Sequence, residues 1–103
     1  VSKGVNNGGG TIIGILKENT INEGNPYLSI PIATGMDIGR NVLLAYNCDA
    51  AIAISGQYGT MSEIAYAMHL KKPVIGYKTL EINNILQTQS PDEVIIALRN
   101  VLQ

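Results

Sequence analysis

The 103-residue sequence has one cysteine, no tryptophan, no phenylalanine and almost no net charge. The single Cys48 excludes an intramolecular disulfide and a cysteine-rich zinc site, which fits a reducing cytoplasm. Seven basic against eight acidic residues give a net charge of −1, so the composition does not favour the basic surface of a nucleic-acid binder. No apolar run approaches the roughly 18–20 residues that span a bilayer.

What the sequence does contain is an alternation of β-branched runs and helical patterns. At 46% hydrophobic residues, a chain of this length builds one core, so we predict a single domain over residues 1–103. The alternation is typical of an α/β protein with parallel strands, right-handed crossovers and helices on both faces of the sheet. The predicted strands are 11–16, 29–33, 50–55 and 74–77.

Helical patterns occupy most of the remaining chain. The opening residues resemble the tail of a helix that the Gly8-Gly9-Gly10 cluster ends. Ser90-Pro91-Asp92-Glu93 is a clear helix start, while Pro31 within its strand indicates an edge position or a strand end. Further helices are predicted over 36–48 and 60–70, and the segment 79–89 is ambiguous.

Ligands in parallel sheets bind beyond the carboxyl ends of the strands. One segment at that edge, Ser55 to Glu63, joins a predicted strand to a helix through a glycine-containing turn. Free backbone N–H groups and the helix dipole make such an end an anion site, and Gly56 and Gly59 allow close approach of a phosphate. An alternative needs no ligand, because Thr60 and Glu63 have the spacing of a capping box.

Arg40 lies at the same edge, in the first turn of the helix predicted over 36–48. A cation there opposes the helix dipole and is better tolerated when an anion faces it. That anion is either Asp37, Glu63 or the phosphate of a ligand. The alternative is an arginine exposed to solvent.

Other chemically active side chains favour structural roles. His69 is the only histidine and is predicted near a helix end, so no metal site is expected. Cys48 has no predicted histidine neighbour and is interpreted as a structural thiol. Residues 25–27 form either a turn or part of a lid. Tyr58 either stacks on a base or is an exposed loop aromatic.

The segment Ser55 to Glu63 resembles the P-G-G-x-G-T-x-x-E signature of the Lonely Guy family, the lysine-decarboxylase-like phosphoribohydrolases. Four positions match that signature, and two depart from it, at Ser55 and Gln57. The Arg-Lys pair of the family corresponds to Arg40 and Asn41, of which only the arginine matches. The four matching positions are Gly56, Gly59, Thr60 and Glu63.

The departures are more similar to a sister branch, the bacterial and archaeal proteins that resemble molybdenum cofactor carriers. That branch lies within the SLOG superfamily of Rossmann-like nucleotide-binding domains, and the resemblance covers the chain to about Tyr77. Gly35 and Met36 are among the stretches that carry it, together with residues 2–4, 14–16, 25–27 and 40–41. The resemblance implies a homo-oligomer and a three-layer Rossmann-like fold. It also implies that an N-terminal strand-helix-strand part of the domain is missing from this sequence.

Two functions follow from the resemblance. In the preferred one, the chain binds a nucleotide or a molybdopterin-type ligand without chemistry, and the phosphate lies against Gly35, Met36 and residues 56–60, which include Gln57 and Tyr58. In the alternative, the chain hydrolyses the N-glycosidic bond of a nucleoside 5′-monophosphate, with Arg40 and Glu63 as catalytic residues. Neither requires a cofactor. A single-stranded DNA mediator of similar fold is the least favoured, because the net charge is −1.

Overall fold

The computed structural model describes residues 1–21, 25–56, 58–82 and 84–103. The chain divides into two compact units, residues 1–40 and residues 41–103. Each unit contains parallel strands and helices, as the sequence predicts for an α/β protein.

The first unit is built around two parallel strands. It contains helix α1 (Ser2–Asn7), strands β1 (Ile13–Leu16) and β2 (Ile30–Ala33), and a 3₁₀ turn (Asp37–Arg40). In the ladder Gly14 lies opposite Pro31, and β1 is the strand that pairs with β2. The expectation that Pro31 lies on an edge strand is therefore confirmed for the described residues.

The glycine cluster ends α1 as predicted. The amide of Gly8 donates to the carbonyl of Gly4 at 3.1 Å, and the amide of Gly10 donates to the carbonyl of Val5 at 2.9 Å. Gly9 supplies the left-handed residue between them, with φ at 79°. A side chain there is unfavourable, which explains why glycine occupies the turn.

The second unit contains a three-stranded parallel sheet in the order β3-β4-β5. The strands are β3 (Ala51–Ile54), β4 (Val74–Tyr77) and β5 (Leu86–Thr88), and the helices are α2 (Asn41–Asn47), α3 (Tyr58–His69) and α4 (Pro91–Val101). The ambiguous segment 79–89 thus includes a short strand. The predicted start of the last helix is confirmed, because the Ser90 hydroxyl accepts from the Glu93 amide at 3.2 Å.

Helices cover both faces of this sheet. Val74 packs with Ile64 and Ala67 of α3, whereas its neighbour Ile75 packs with Val94 and Ala97 of α4. Successive residues of a strand point to opposite faces, so α3 and α4 lie on opposite sides of β4. This is the three-layer arrangement expected of a Rossmann-like fold.

The elements of the second unit are buried unevenly. In β3, Ile52 and Ile54 are 41% and 47% exposed, because α4 packs against β4 and β5. On α3, Ile64 and Ala67 are buried, whereas Met61 is exposed. On α2 the buried residues are Asn41 and Ala45.

The helix predicted over 36–48 is divided in two. Asp37 has φ at 51°, which lies outside the α-helical region, and a 3₁₀ turn precedes α2. Arg40 is therefore the last residue of the 3₁₀ turn rather than a residue of the first α-helical turn. Among the helices that the structure describes, none has the length and apolar character needed to cross a membrane.

Candidate functional site

The turn after β3 places the start of a helix at the carboxyl edge of the sheet. Ser55 follows β3 with φ at 64°, and its amide donates to the Tyr77 carbonyl at 3.3 Å. Helix α3 begins at Tyr58, and the first amides of an α-helix have no partner within the helix. This geometry supplies the backbone donors that an anion needs.

Thr60 lies within α3, two residues after its start at Tyr58. An N-cap residue precedes the first helical residue, so the interpretation of Thr60 and Glu63 as a capping box is wrong. Gln57, which the sequence also assigns to this loop, lies outside the described residues.

Packing alone requires a glycine at position 56. A Cβ at this position would lie 2.8 Å from Cγ of Leu80 and 3.3 Å from the hydroxyl oxygen of Thr79. The first distance is closer than real Cβ atoms approach a carbon, so a side chain would displace the segment after β4. The glycine thus allows the turn after β3 to pack against the turn after β4.

Glu63 lies in a cavity of the second unit. The cavity has a volume of about 190 Å³, and Glu63 is half-buried. Asn41, at the position of the lysine in the family's Arg-Lys pair, lines the same cavity and is 2% exposed. The other lining residues are Leu44, Ala45, Cys48, Ala51, Ile52 and Ala67. A carboxylate and an amide therefore lie in mostly apolar surroundings, as in ligand pockets.

Arg40 lies in a cleft of the first unit. Its Nη1 donates to the carbonyl of Ile15 at 2.8 Å, which holds the guanidinium at the carboxyl end of β1. Of the anions considered from the sequence, Asp37 is not the acceptor. The cleft has a volume of about 200 Å³ and is also lined by Leu16, Lys17 and Glu18. Arg40 and Glu63 are thus each placed within a different unit.

The turn that contains Gly35 and Met36 is held against the end of β1. The Thr34 hydroxyl donates to the Leu16 carbonyl at 2.5 Å and accepts from the Met36 amide at 3.2 Å. The Gly35 amide donates to the backbone carbonyl of Glu18 at 2.7 Å. Gly35 itself has φ at 63°, a conformation that favours glycine.

Sequence reasoning missed Lys17 and Glu18 as neighbours of Arg40. The available signal was their position, because both residues directly follow the strand predicted over 11–16. They are polar side chains at the carboxyl end of a parallel strand, which is where ligands bind in such sheets.

The remaining candidates have structural contacts. The Cys48 thiol is not in a disulfide. The backbone carbonyl of Cys48 accepts a hydrogen bond from the ammonium of Lys72 at 2.8 Å. His69 ends α3. The Tyr27 amide donates to the Asn25 side chain at 2.8 Å, which closes a local turn. Within the described ranges, no three metal-ligating side chains come together.

Known proteins similar to this chain share both its sequence pattern and its fold. The sequence profile described as the SLOG cluster4 family matches residues 1–102. An uncharacterised protein of Archaeoglobus fulgidus is 35% identical over 97 residues, which is 91% of this chain and 62% of the relative. The chain therefore spans less than two thirds of the length of that curated relative.

Two solved structures of named proteins are similar over almost the whole chain. The molybdenum cofactor binding protein from the phototrophic bacterium Rippkaea orientalis is 26% identical, with a TM-score of 0.91 over 99% of this chain and 69% of that one. The molybdenum cofactor carrier protein of Chlamydomonas reinhardtii is 26% identical, with a TM-score of 0.86 over 98% and 68%. The predicted resemblance is therefore confirmed.

Proposed function

The chain belongs to the SLOG cluster4 family, and we propose that it binds a small phosphorylated ligand of the molybdopterin or nucleotide class. The family and the similar carrier proteins support a cofactor-binding or ligand-binding role. The observation that carries the phosphate part is the start of α3 at Tyr58, four residues beyond the end of β3. The helix therefore begins at the carboxyl edge of the sheet, and the first amides of an α-helix have no partner within the helix, which makes such an end suitable for an anion.

The residues of this loop suit a phosphate. Gly56, Gly59 and Thr60 surround the beginning of α3, and Gln57 and Tyr58 complete the proposed binding segment. A phosphate here would accept hydrogen bonds from the amides of the first helical turn, and the Thr60 hydroxyl adds a further donor. Within the first unit, Gly35 and Met36 are proposed as ligand-binding residues in their own right, because their turn also follows a parallel strand.

Arg40 in the first unit and Glu63 in the second are each proposed to contact a ligand. Arg40 is fixed by the Ile15 carbonyl, so its remaining N–H groups are oriented before a ligand arrives. Glu63 lines a mostly apolar cavity, where a carboxylate accepts hydrogen bonds from hydroxyl or amino groups. Both side chains are polar groups that orient a ligand rather than supply the apolar contact area.

The resemblance and Cys48 support two further proposals. The family resemblance leads us to expect a homo-oligomer, and sedimentation equilibrium of the full-length protein measures its mass directly.

We also expect the protein in the cytoplasm, because Cys48 is a free thiol and such thiols are typical of reducing compartments.

The test is binding of two named probes, AMP and molybdenum cofactor, to the full-length protein. Bound ligand stabilises the folded state by about 2.7 kcal/mol at about 100 times Kd, which a thermal-shift assay detects. We expect Gly59→Val to abolish the shift, because a side chain blocks approach to the amides of α3. Gly4→Val is the matched control, since no atom lies within 4 Å of a Cβ at Gly4.

Chromatography of the same AMP incubation distinguishes binding from hydrolysis. Under the binding proposal, AMP stays intact and Glu63→Ala retains most of the phosphate affinity. Release of free adenine that disappears in Glu63→Ala would instead establish the phosphoribohydrolase alternative. Unchanged binding in Gly59→Val would contradict the proposed loop under both functions.

A further inference from the structure

The cleft around Arg40 is formed entirely within the first unit. It has a volume of about 200 Å³ and is lined by Ile15, Leu16, Lys17, Glu18 and Arg40. These residues belong to the end of β1, to the two positions after it and to the last position of the 3₁₀ turn. Two of them are basic and one is acidic, so the cleft brings charged residues of both signs together.

The guanidinium of Arg40 is held in place by the backbone of β1. The side chain is half-buried, and its Nη1 donates to the Ile15 carbonyl at 2.8 Å. That acceptor is uncharged, so the hydrogen bond orients the guanidinium without neutralising its charge. A guanidinium has five N–H donors in a planar fork, and the remaining donors suit the oxygens of an oxyanion.

The backbone that carries Lys17 and Glu18 is fixed as well. The carbonyl of Lys17 accepts from the Asp37 amide at 3.0 Å, and the carbonyl of Glu18 accepts from the Gly35 amide at 2.7 Å. The turn after β2 therefore anchors both positions through the main chain. Lys17 is exposed and Glu18 is half-buried, so the cleft of Arg40 gains a second cation and a carboxylate.

We infer that this cleft binds inorganic phosphate, with Arg40 and Lys17 as the cations and Glu18 as the acceptor of a P–OH proton. The inference rests on the proposed role of Arg40 as a ligand contact and names the anion. It does not depend on the start of α3. Since Lys17 is exposed, its attraction to the anion is modest and is screened by salt.

Glu18 decides which oxyanion fits. An ionised carboxylate only accepts hydrogen bonds, so it repels an oxyanion without a proton and accepts a hydrogen bond from one that has a hydroxyl. Inorganic phosphate keeps a P–OH group near neutral pH, whereas sulfate has none. A phosphate monoester has largely lost its proton at neutral pH, because its second pKa is about 6. Free phosphate is therefore the anion that suits two cations and one carboxylate.

The experiment is a titration of the full-length protein with inorganic phosphate, followed through the amide NMR signals of Gly35 and Asp37. We expect both signals to shift with phosphate, and to shift less with sulfate at equal ionic strength. Lys17→Met should raise the Kd for phosphate about fivefold at low ionic strength. Lys3→Met is the matched control, because Lys3 is exposed on α1 of the same unit and does not line the cleft.

A second variant tests the choice of anion separately from its affinity. A glutamine amide donates as well as accepts hydrogen bonds, so Glu18→Gln should bind sulfate and phosphate with similar Kd values. Arg40→Lys keeps the positive charge but loses the planar fork, and it should also weaken phosphate binding.

Three results would overturn the inference. Signals of Gly35 and Asp37 that phosphate leaves unchanged would remove the site. Equal weakening by Lys3→Met would remove the role of Lys17, because only the general charge of the protein would then matter. Sulfate binding as tight as phosphate binding in the wild type would remove the role of Glu18. None of these results bears on the loop before α3, which the thermal shift of Gly59→Val with AMP or molybdenum cofactor tests separately.

Discussion

The two units differ in how they bury apolar surface. None of the side chains described in residues 1–40 is buried, whereas residues 41–103 contain two buried clusters, one on each face of a three-stranded sheet. A sheet of two strands is marginally stable in water, and stability rises once a third strand and a helix cover an apolar face. The second unit therefore has the contacts expected of a folding core.

The difference also separates the candidate site residues. The first unit holds Arg40 and the Gly35 turn through hydrogen bonds to the backbone beside β1. The second unit holds Glu63 and the α3 loop through packing of helices on a sheet. Regions with few buried apolar contacts open more readily, so we expect faster amide exchange in residues 1–40.

The largest effect should come from removing a core isoleucine of the second unit. Ile75 is 0% exposed and packs with Val94 and Ala97, so Ile75→Ala should lower the free energy of unfolding by about 2–5 kcal/mol. The matched change, Ile13→Ala in β1, removes a side chain that is 56% exposed and should cost less than about 0.5 kcal/mol. Urea denaturation measures both, and equal losses would contradict the contrast between the units.

Two glycine-to-alanine changes should have opposite effects on the free energy of unfolding. In Gly76→Ala the new Cβ would lie 2.7 Å from Cγ2 of Thr79 and 2.9 Å from Oε1 of Gln87, which should cost about 1–3 kcal/mol. In Gly4→Ala the new Cβ meets no atom within 4 Å, and α1 should gain about 0.5–1 kcal/mol. Thermal unfolding of the two variants measures this. A loss of stability in Gly4→Ala would contradict the open space found around a Cβ at Gly4.

The smallest contrast concerns two threonine hydroxyls. The hydroxyl of Thr88 is buried and donates to Gly76 at 2.7 Å, so Thr88→Val should cost about 1 kcal/mol by leaving that carbonyl without this donor. Thr34→Val removes two hydrogen bonds, a half-buried one to the Leu16 carbonyl and an exposed one from the Met36 amide. Because water can replace both partners, it should cost only about 0.5 kcal/mol. Denaturant titrations at matched concentrations compare them, and a greater cost at Thr34 would reverse the ranking of the units.

Local signals in the sequence predicted several elements well. The Ser90-Pro91 start of α4 is confirmed, because capping depends on side chains next to one another in the chain. The end of α1 is confirmed for the same reason, since three consecutive glycines permit the left-handed turn. The strand cores of β1 to β4 were also predicted, because short apolar runs that contain β-branched residues and are bounded by glycine, proline or polar residues indicate strands.

Burial depends on distant partners that a local pattern does not specify. The run Ala50 to Ile54 is continuously apolar, yet the exposure of Ile52 and Ile54 depends on where α4 packs, and no residue in that run specifies it. Strand β5 was missed because Leu86–Thr88 is three residues long, too short for a periodic pattern. The capping-box interpretation was wrong because helix α3 begins earlier than its threonine suggests.

The sequence by itself determined the α/β class, the glycine turns and the family, because those depend on residue types and their spacing. Only the tertiary structure placed Ser55 beside the Tyr77 carbonyl, bound Arg40 to the Ile15 carbonyl and put Glu63 in a cavity. These neighbours are separated by tens of positions in the chain and meet through strand register and helix packing. Register and packing are collective properties of the folded chain, so no local pattern could specify them.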